Sequence, residues 1–300
     1  MDLIRPDTKI DFVRYAKPAA LFSAALILLG LLSLWYHGGP NYGVDFVGGT
    51  AVQVKFTQPT AIADIRQALE ATNGANVTVQ DFGQGGNEFL IRLPITGDEI
   101  ETLSNQIRQG LTSKFGAQAF EVRRVETVGP KVGKDLRRKA IFALAVSTLV
   151  MGVYVAVRFE PRFGIGAAVA LLHDVLITIG ALSLLNMEFD LTVVAALLTV
   201  VGFSVNDTVV VCDRIRENMR KMRREKLAAI INKSINDTLS RTIITNGTAI
   251  LTVIVLFLLG GDVIHAFAAA LLVGFVFGTY SSVYIASPIV LLWEREGKRR

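Results

Sequence analysis

The sequence predicts an α-helical polytopic membrane protein, with six transmembrane helices and an inserted α+β extracytoplasmic domain. Three observations carry that reading. Hydrophobic residues make up 51% of the 300 residues, and mean hydropathy is +0.46. The apolar residues fall in blocks: Ala19–Tyr36, Ala140–Val157, Phe163–Leu185, Leu191–Cys212, Ile243–Leu259 and a last one from about Ala266 to Trp293. Each is near or above the roughly 18–20 residues with which a helix crosses about 30 Å of hydrocarbon. The third observation is the long segment His37–Lys139, whose apolar residues alternate or recur at helical spacing, as in a folded soluble domain.

The first block, with Arg14 and Lys17 ahead of it, has the flank of a secretory signal. It is long, however, ends in Trp35-Tyr36, and runs into His37-Gly-Gly-Pro rather than a small-residue cleavage site. The aromatic pair suits an interfacial anchor, so an uncleaved helix is expected. The predicted organisation is therefore 1–36 for the N-terminus and first span, 37–139 for the inserted domain, and 140–300 for five further spans.

Within 37–139, Thr50-AVQVKF alternates, placing Val52, Val54 and Phe56 on one face of a strand. Thr60-AIADIRQALEATNG sets Ile62, Ile65 and Leu69 on a helical stripe that stops at Gly74. Asn76-VTVQDF and Asn87-EFLIRLP read as strands joined through Gly-Gln-Gly-Gly, a hairpin signal. Gly97-DEIETLSNQIRQGLTSKFG reads as a second helix and Phe120-EVRRVETV as a last strand. The order β-α-β-β-α-β predicts a ferredoxin-like (split βαβ) domain, two helices covering one face of a four-stranded sheet.

The formal net charge of +5 is a matter of topology rather than a nucleic-acid signal. Lys and Arg gather before the first block, at Arg158 and Arg162, throughout 213–241, and in the tail, while Asn186–Asp190 and Gly260–Asp262 have none. The positive-inside rule then predicts both termini in the cytoplasm and the inserted domain outside. The basic segment 213–241 is expected to be an inner loop with one or two surface helices, either solvated or docking a cytoplasmic or membrane partner. The single Cys212 excludes a disulfide framework and a multi-cysteine metal site. There is no phosphate-cradling P-loop, no H-E-x-x-H and no G-x-S-x-G, so neither an ATPase nor a hydrolase is expected, nor any cofactor or metal.

What remains is polarity inside the spans. His173 and Asp174 lie ten and eleven residues past Phe163, near mid-membrane; Asn206 and Asp207 lie toward the inner side of the fourth span. The fifth is expected to begin at Arg241, followed by Thr242, Thr245, Asn246 and Thr248. Taken singly, each has a plain reading: a satisfied helix-bridging group, or one more inner basic flank. Together they have the composition of a proton or ion path, with Asp207 the group whose ionisation changes. Small residues at Ala195, Thr199, Gly202 and Asn206, and at Gly274 and Gly278 before Ser281-Ser282, predict close helix packing.

Five motifs together resemble one family. They are Gly43-VDFVGGT, with Gly43, Asp45, Phe46, Gly48 and Gly49; Val128-GPKVGKDLRRKA; His173-Asp174-Val175; Gly202-FSVNDTVVVCDRIREN; and Asn236-DTLSRTIITNGTA. They are similar to the SecF members of the SecD/SecF protein-export family, in the resistance–nodulation–division superfamily. The resemblance implies a multi-pass protein of the bacterial inner membrane, forming one six-helix half of a pair completed by SecD. Proton flow between the halves would promote late export of preproteins through SecYEG, with Asp207 at the family's essential aspartate and Arg241 at its important arginine. Membrane lipids are the other expected partner, and nucleic acid is not one. The alternative is a proton-coupled small-molecule or lipid transporter half of the same superfamily.

Overall fold

A computed structural model of the chain describes residues 9–73, 78–81, 86–93 and 100–297. In chain order the elements of the first half are α1 (Ala16–Tyr36), α2 (Val44–Val47), β1 (Gly49–Phe56), α3 (Ile62–Asn73), β2 (Thr78–Asp81), β3 (Glu88–Leu93), α4 (Ile100–Phe115) and β4 (Phe120–Val128). There follow α5 (Pro130–Arg158), α6 (Pro161–Leu184), α7 (Leu191–Lys221), α8 (Leu227–Leu259), α9 (His265–Ser281), a π-helical turn at Ser282–Ala286, and α10 (Ser287–Gly297). Two compact units result: Met1–Asn41 with Phe142–Arg300, and Tyr42–Ile141.

The smaller unit holds a four-stranded sheet in the order β2-β3-β1-β4, every described pairing antiparallel. The alternation of β1 sends Val52, Val54 and Phe56 into one core with Ile65 and Leu69 of α3 and Ile107 and Leu111 of α4. Most of the expected Gly-rich hairpin and the expected start of the second helix at Gly97 lie outside the described residues.

On the sheet, Lys55 Nζ lies 2.8 Å from Glu88 Oε1 across the β1–β3 pair. The Lys55 ammonium, against a smaller opposing push from burial, holds the Glu88 carboxyl below its ordinary value of 4.5. A carboxylate depressed on folding stabilises above its unfolded pKa, and that contribution is lost as pH falls through the lower folded value. Urea midpoints of this unit should therefore fall below pH 4.5, and Glu88→Gln, with no charge to lose there, should flatten the decline. The pair is partly exposed, so the difference is at most about 1 kcal/mol; identical pH profiles for the two proteins refute the assignment.

Among the described residues six helical stretches are long and apolar enough to cross a membrane: Ala16–Tyr36, Lys131–Arg158, Pro161–Leu184, Leu191–Lys221, Leu227–Leu259 and His265–Trp293. With the likeness described below, they make the chain a multi-pass membrane protein. Helix α1 is built inside out relative to a soluble helix. Its buried residues are Ser23, Gly30 and Ser33, while Leu21, Phe22, Leu28 and Leu31 are exposed. Lipid tails are as apolar as leucine, so there is no gain in turning leucines inward, and small or polar residues take the contact face. There a Cβ built on Gly30 would lie 2.7 Å from the Gly180 Cα of α6. The α5–α6 hairpin closes likewise, a Cβ on Gly164 meeting Ala156 Cβ at 2.4 Å.

Segment 213–241 departs from expectation. It is two helices, α7 running on to Lys221 and α8 starting at Leu227, joined by a five-residue turn. Ile231 and Ile235 on the first turns of α8 bury against Ile215 of α7 and Phe12, so tertiary packing carries the helix straight through the polar stretch. Arg241 consequently lies in mid-helix rather than at a helix start. The residues before α1 strap this part down: Asn236 exchanges hydrogen bonds with the backbone of Ile10 (3.0 and 2.8 Å), and Asn232 Oδ1 accepts from the Val13 amide at 3.0 Å.

The expected packing glycines divide. A Cβ on Gly274 of α9 would fall 2.1 Å from Val200 Cγ2 of α7, and one on Gly278 3.1 Å from Ser204 Cβ. A Cβ on Gly202 would meet nothing within 4 Å; it lies on an exposed face, so its predicted packing role is not met within this chain. Gly274→Leu is expected to cost about 1–3 kcal/mol by overpacking, and Gly202→Leu close to nothing in the isolated chain. Melting followed by thiol reactivity of the buried Cys212 reads both; equal melting of the two variants contradicts this packing.

Candidate functional site

Two polar groups lie side by side in the helix bundle, and each is assembled from helices distant in sequence. The first surrounds Asp174 of α6, fully buried at 0% exposure. Its Oδ2 accepts hydrogen bonds from Ser204 Oγ of α7 (2.6 Å) and Ser281 Oγ of α9 (2.8 Å). Its Oδ1 takes the Nδ1–H of His173 at 2.9 Å, which leaves Nε2 facing Ser23 Oγ of α1 at 3.0 Å. Ser23 also lies 3.2 Å from Tyr280 Oη, and Tyr280 donates to the Ala19 carbonyl at 2.7 Å. Ser23 has a single proton to give, either to Nε2 or to Tyr280, while the Tyr280 proton goes to a backbone carbonyl. A carboxylate with three donors is what makes this burial tolerable.

The second group surrounds Asp207 of α7, 6% exposed. Thr242 Oγ1 of α8 donates to its Oδ1 at 2.8 Å. The other oxygen, Oδ2, is buried and has no hydrogen-bond partner among the described residues. One residue on, Thr208 Oγ1 lies 3.1 Å from Ser282 Oγ, on the first residue of the π-helical turn. Asn246 of α8, buried nearby, donates to Thr279 Oγ1 of α9 at 2.7 Å. Ser281 addresses Asp174 and Ser282 addresses Thr208, so the end of α9 and the start of the π turn join the two groups.

The remaining predicted residues stand elsewhere. Asn206 is exposed, because successive helical residues point about 100° apart and Asp207 takes the inward direction. Ala195, Thr199 and Gly202 share its exposed face. Arg241, also exposed, makes no direct bond to Asp207, although its charge acts there through space. No group of three or more His, Cys, Asp or Glu fit to hold a metal occurs among the described residues.

In the smaller unit, Val44–Val47 is a single helical turn, and Gly48 and Gly49 follow with φ +79 and +130. Those angles suit glycine and feed the chain into β1. Phe46 is buried, Asp45 half-buried, Gly43 caps the turn, and a Cβ on Gly133 would come within 3.0 Å of Gly48 N and Phe46 O. The motif is a tight backbone junction within its own unit.

Sequence reasoning missed Ser23, Ser204 and Tyr280, and noted Ser281 and Ser282 only as small residues. A signal was present: on α1, Ser23, Gly30 and Ser33 fall on one stripe of an otherwise leucine-rich span.

Comparison with known proteins gives a consistent result. Residues 108–296 match the family "Protein export membrane protein SecD/SecF, C-terminal", and residues 34–60 match the "SecD/SecF GG Motif". The chain is 46% identical over 293 residues to the protein translocase subunit SecF of Vibrio alginolyticus, covering 96% of this chain and 91% of that protein. It is 46% identical over 302 residues to the SecF of Calditerrivibrio nitroreducens, covering 100% and 99%. Among solved structures it is similar to SecDF, a translocon-associated membrane protein from Thermus thermophilus, with a TM-score of 0.87 at 37% identity. That match covers 98% of this chain, which spans only 40% of the SecDF chain.

Proposed function

The chain belongs to the SecD/SecF family of protein-export membrane proteins, and from that premise we propose that it is a SecF-type subunit which, with a SecD-type partner, uses the proton motive force to promote preprotein export through SecYEG. The observation that carries the proton role is Asp207: a carboxyl in a membrane-spanning helix, one oxygen held by Thr242 and the other buried without a partner. Asp174, by contrast, has both oxygens answered by donors; the open oxygen of Asp207 has its lone pairs free to take a proton.

Protonation turns Oδ2 from an acceptor into a donor. Ser282, bonded to the adjacent Thr208, and Asn246, one helical turn beyond Thr242, are the polar groups placed to receive it. Ser282 opens a π-helical turn, a backbone form that recurs at functional sites, and Asn246 and Thr242 lie on α8. A change of charge at Asp207 therefore acts on α8 and on the π turn. The exposed face bearing Asn206 and Gly202, with Arg241 on the neighbouring helix, is where a second six-helix half seats. The relatives' description as translocase subunits, and the likeness to part of SecDF, support a SecD-type partner. The basic residues at one end of the spans support cytoplasmic termini in an inner membrane.

Vesicles carrying this chain, its SecD-type partner and the SecYEG channel should export a preprotein faster when a proton gradient is imposed. Export indifferent to the gradient overturns the reading. Purification as a homotrimer that binds apolar small molecules, with no SecD-type chain, would favour a transporter half instead.

A further inference from the structure

A second charged arrangement, at the α5–α6 turn, plays no part in proton coupling. The Arg158 guanidinium carbon sits 5.5 Å from the centroid of the Phe159 ring, and that of Arg216 from α7 sits 6.0 Å from the same ring. Arg216 Nη1 reaches the Arg158 carbonyl at 3.4 Å, which holds the second guanidinium over the turn. Two like charges around one aromatic ring repel each other, and the ring offsets only part of that.

Of the neighbouring acids, three are engaged elsewhere, while Asp213, one turn before Arg216 on α7, is exposed and forms no ion pair with it. Glu160 pairs with Arg162 at 2.7 Å, Glu217 with Arg214 and Lys221, and Asp237 with Arg214 and Lys233. Among the described residues neither Arg158 nor Arg216 forms an ion pair, so the two charges on this ring are unanswered. The location matters as well. Arg158 closes one membrane span and Pro161 opens the next, so both guanidiniums stand at the depth of lipid phosphates. Directly membrane-ward, Val157 is 83% exposed and Tyr154 53% exposed, an apolar track for an acyl chain.

We propose that Arg158 and Arg216, gathered on Phe159, form a binding site for the phosphodiester headgroup of an anionic phospholipid. Guanidinium donors in a planar fork match two phosphate oxygens at once, and they do so best in the half-desolvated interface. The lipid neutralises the repelling pair and its chain lies along α5.

The test is retention of lipid by the full chain, with any SecD-type partner that copurifies, measured by native mass spectrometry. Mixed micelles present phosphatidylglycerol and phosphatidylcholine with identical acyl chains. Wild type should retain phosphatidylglycerol over phosphatidylcholine by roughly tenfold. Arg158→Gln with Arg216→Gln should bring the ratio near one, whereas Arg220→Gln with Arg223→Gln should leave it unchanged. Arg158→Lys with Arg216→Lys, which keeps the charge should the glutamine pair fail to fold, should lose most of the preference. No preference in wild type, equal loss in the Arg220 and Arg223 variant, or an unchanged ratio in the lysine variant each overturns the site. Millimolar inorganic phosphate should not displace the lipid; displacement would make the ligand a free anion and overturn the lipid assignment.

Discussion

Asp207→Asn should leave the protein folded, in the membrane and bound to its partner, while export no longer responds to an imposed proton gradient. Asparagine has the carboxyl's shape, its Oδ1 still accepts from Thr242, and its amide takes the place of an oxygen that had no partner. The stability change is therefore small, within about 1 kcal/mol. What disappears is the ability to gain and lose a proton. Rates with and without the gradient should become equal in the variant, at the level of ungradiented wild type. Gradient-stimulated export by Asp207→Asn would remove the proton role from this residue. Arg241→Met is the companion: exposed and unbonded to Asp207, it should fold normally and impair coupling, through the charge it projects on the site. Unimpaired coupling there would return Arg241 to a topological role.

The largest loss of stability is expected from Asp174→Leu. The leucine fills similar space but leaves the Ser204 and Ser281 hydroxyls and the His173 ring without their shared acceptor, deep in the bundle. Removing one partner from a buried ionic network costs about 3–5 kcal/mol, equivalent to a drop in melting temperature on the order of 10 °C for a chain of this kind. Reactivity of Cys212, buried in the bundle's hydrophobic cluster with Leu171 and Val175 of α6, reports the midpoint. Asp174→Asn, which keeps an acceptor, should fall in between. If Asp174→Leu melts within about 2 °C of wild type, the network is not what joins α1, α7 and α9 to α6. The two aspartates thus differ in kind: one should fail in function while folded, the other in folding.

Much of this molecule is legible in the sequence because its strongest signals are local. Six apolar stretches mark the spans, and the alternation of Val52, Val54 and Phe56 marks the central strand, since each follows from chain geometry alone. Asp174 and Asp207 were conspicuous for the same reason: a carboxylate in an apolar run needs an explanation wherever it points. Continuity of α8 through Arg241 was not legible. Its first turns look like a polar loop until Ile231 and Ile235 find Ile215 and Phe12, residues far off in sequence.

By itself, then, the sequence determined the number of spans, the inserted α+β unit and which side chains would be costly to bury. It could not say that Asn206 points out while Asp207 points in, that Gly274 is a contact and Gly202 is not, or that Asp174 has three donors while Asp207 keeps a bare oxygen. Those are rotational and pairwise facts. Periodicity places a residue along a helix, but its partners come from other helices, and only their packing decides which polar groups are answered.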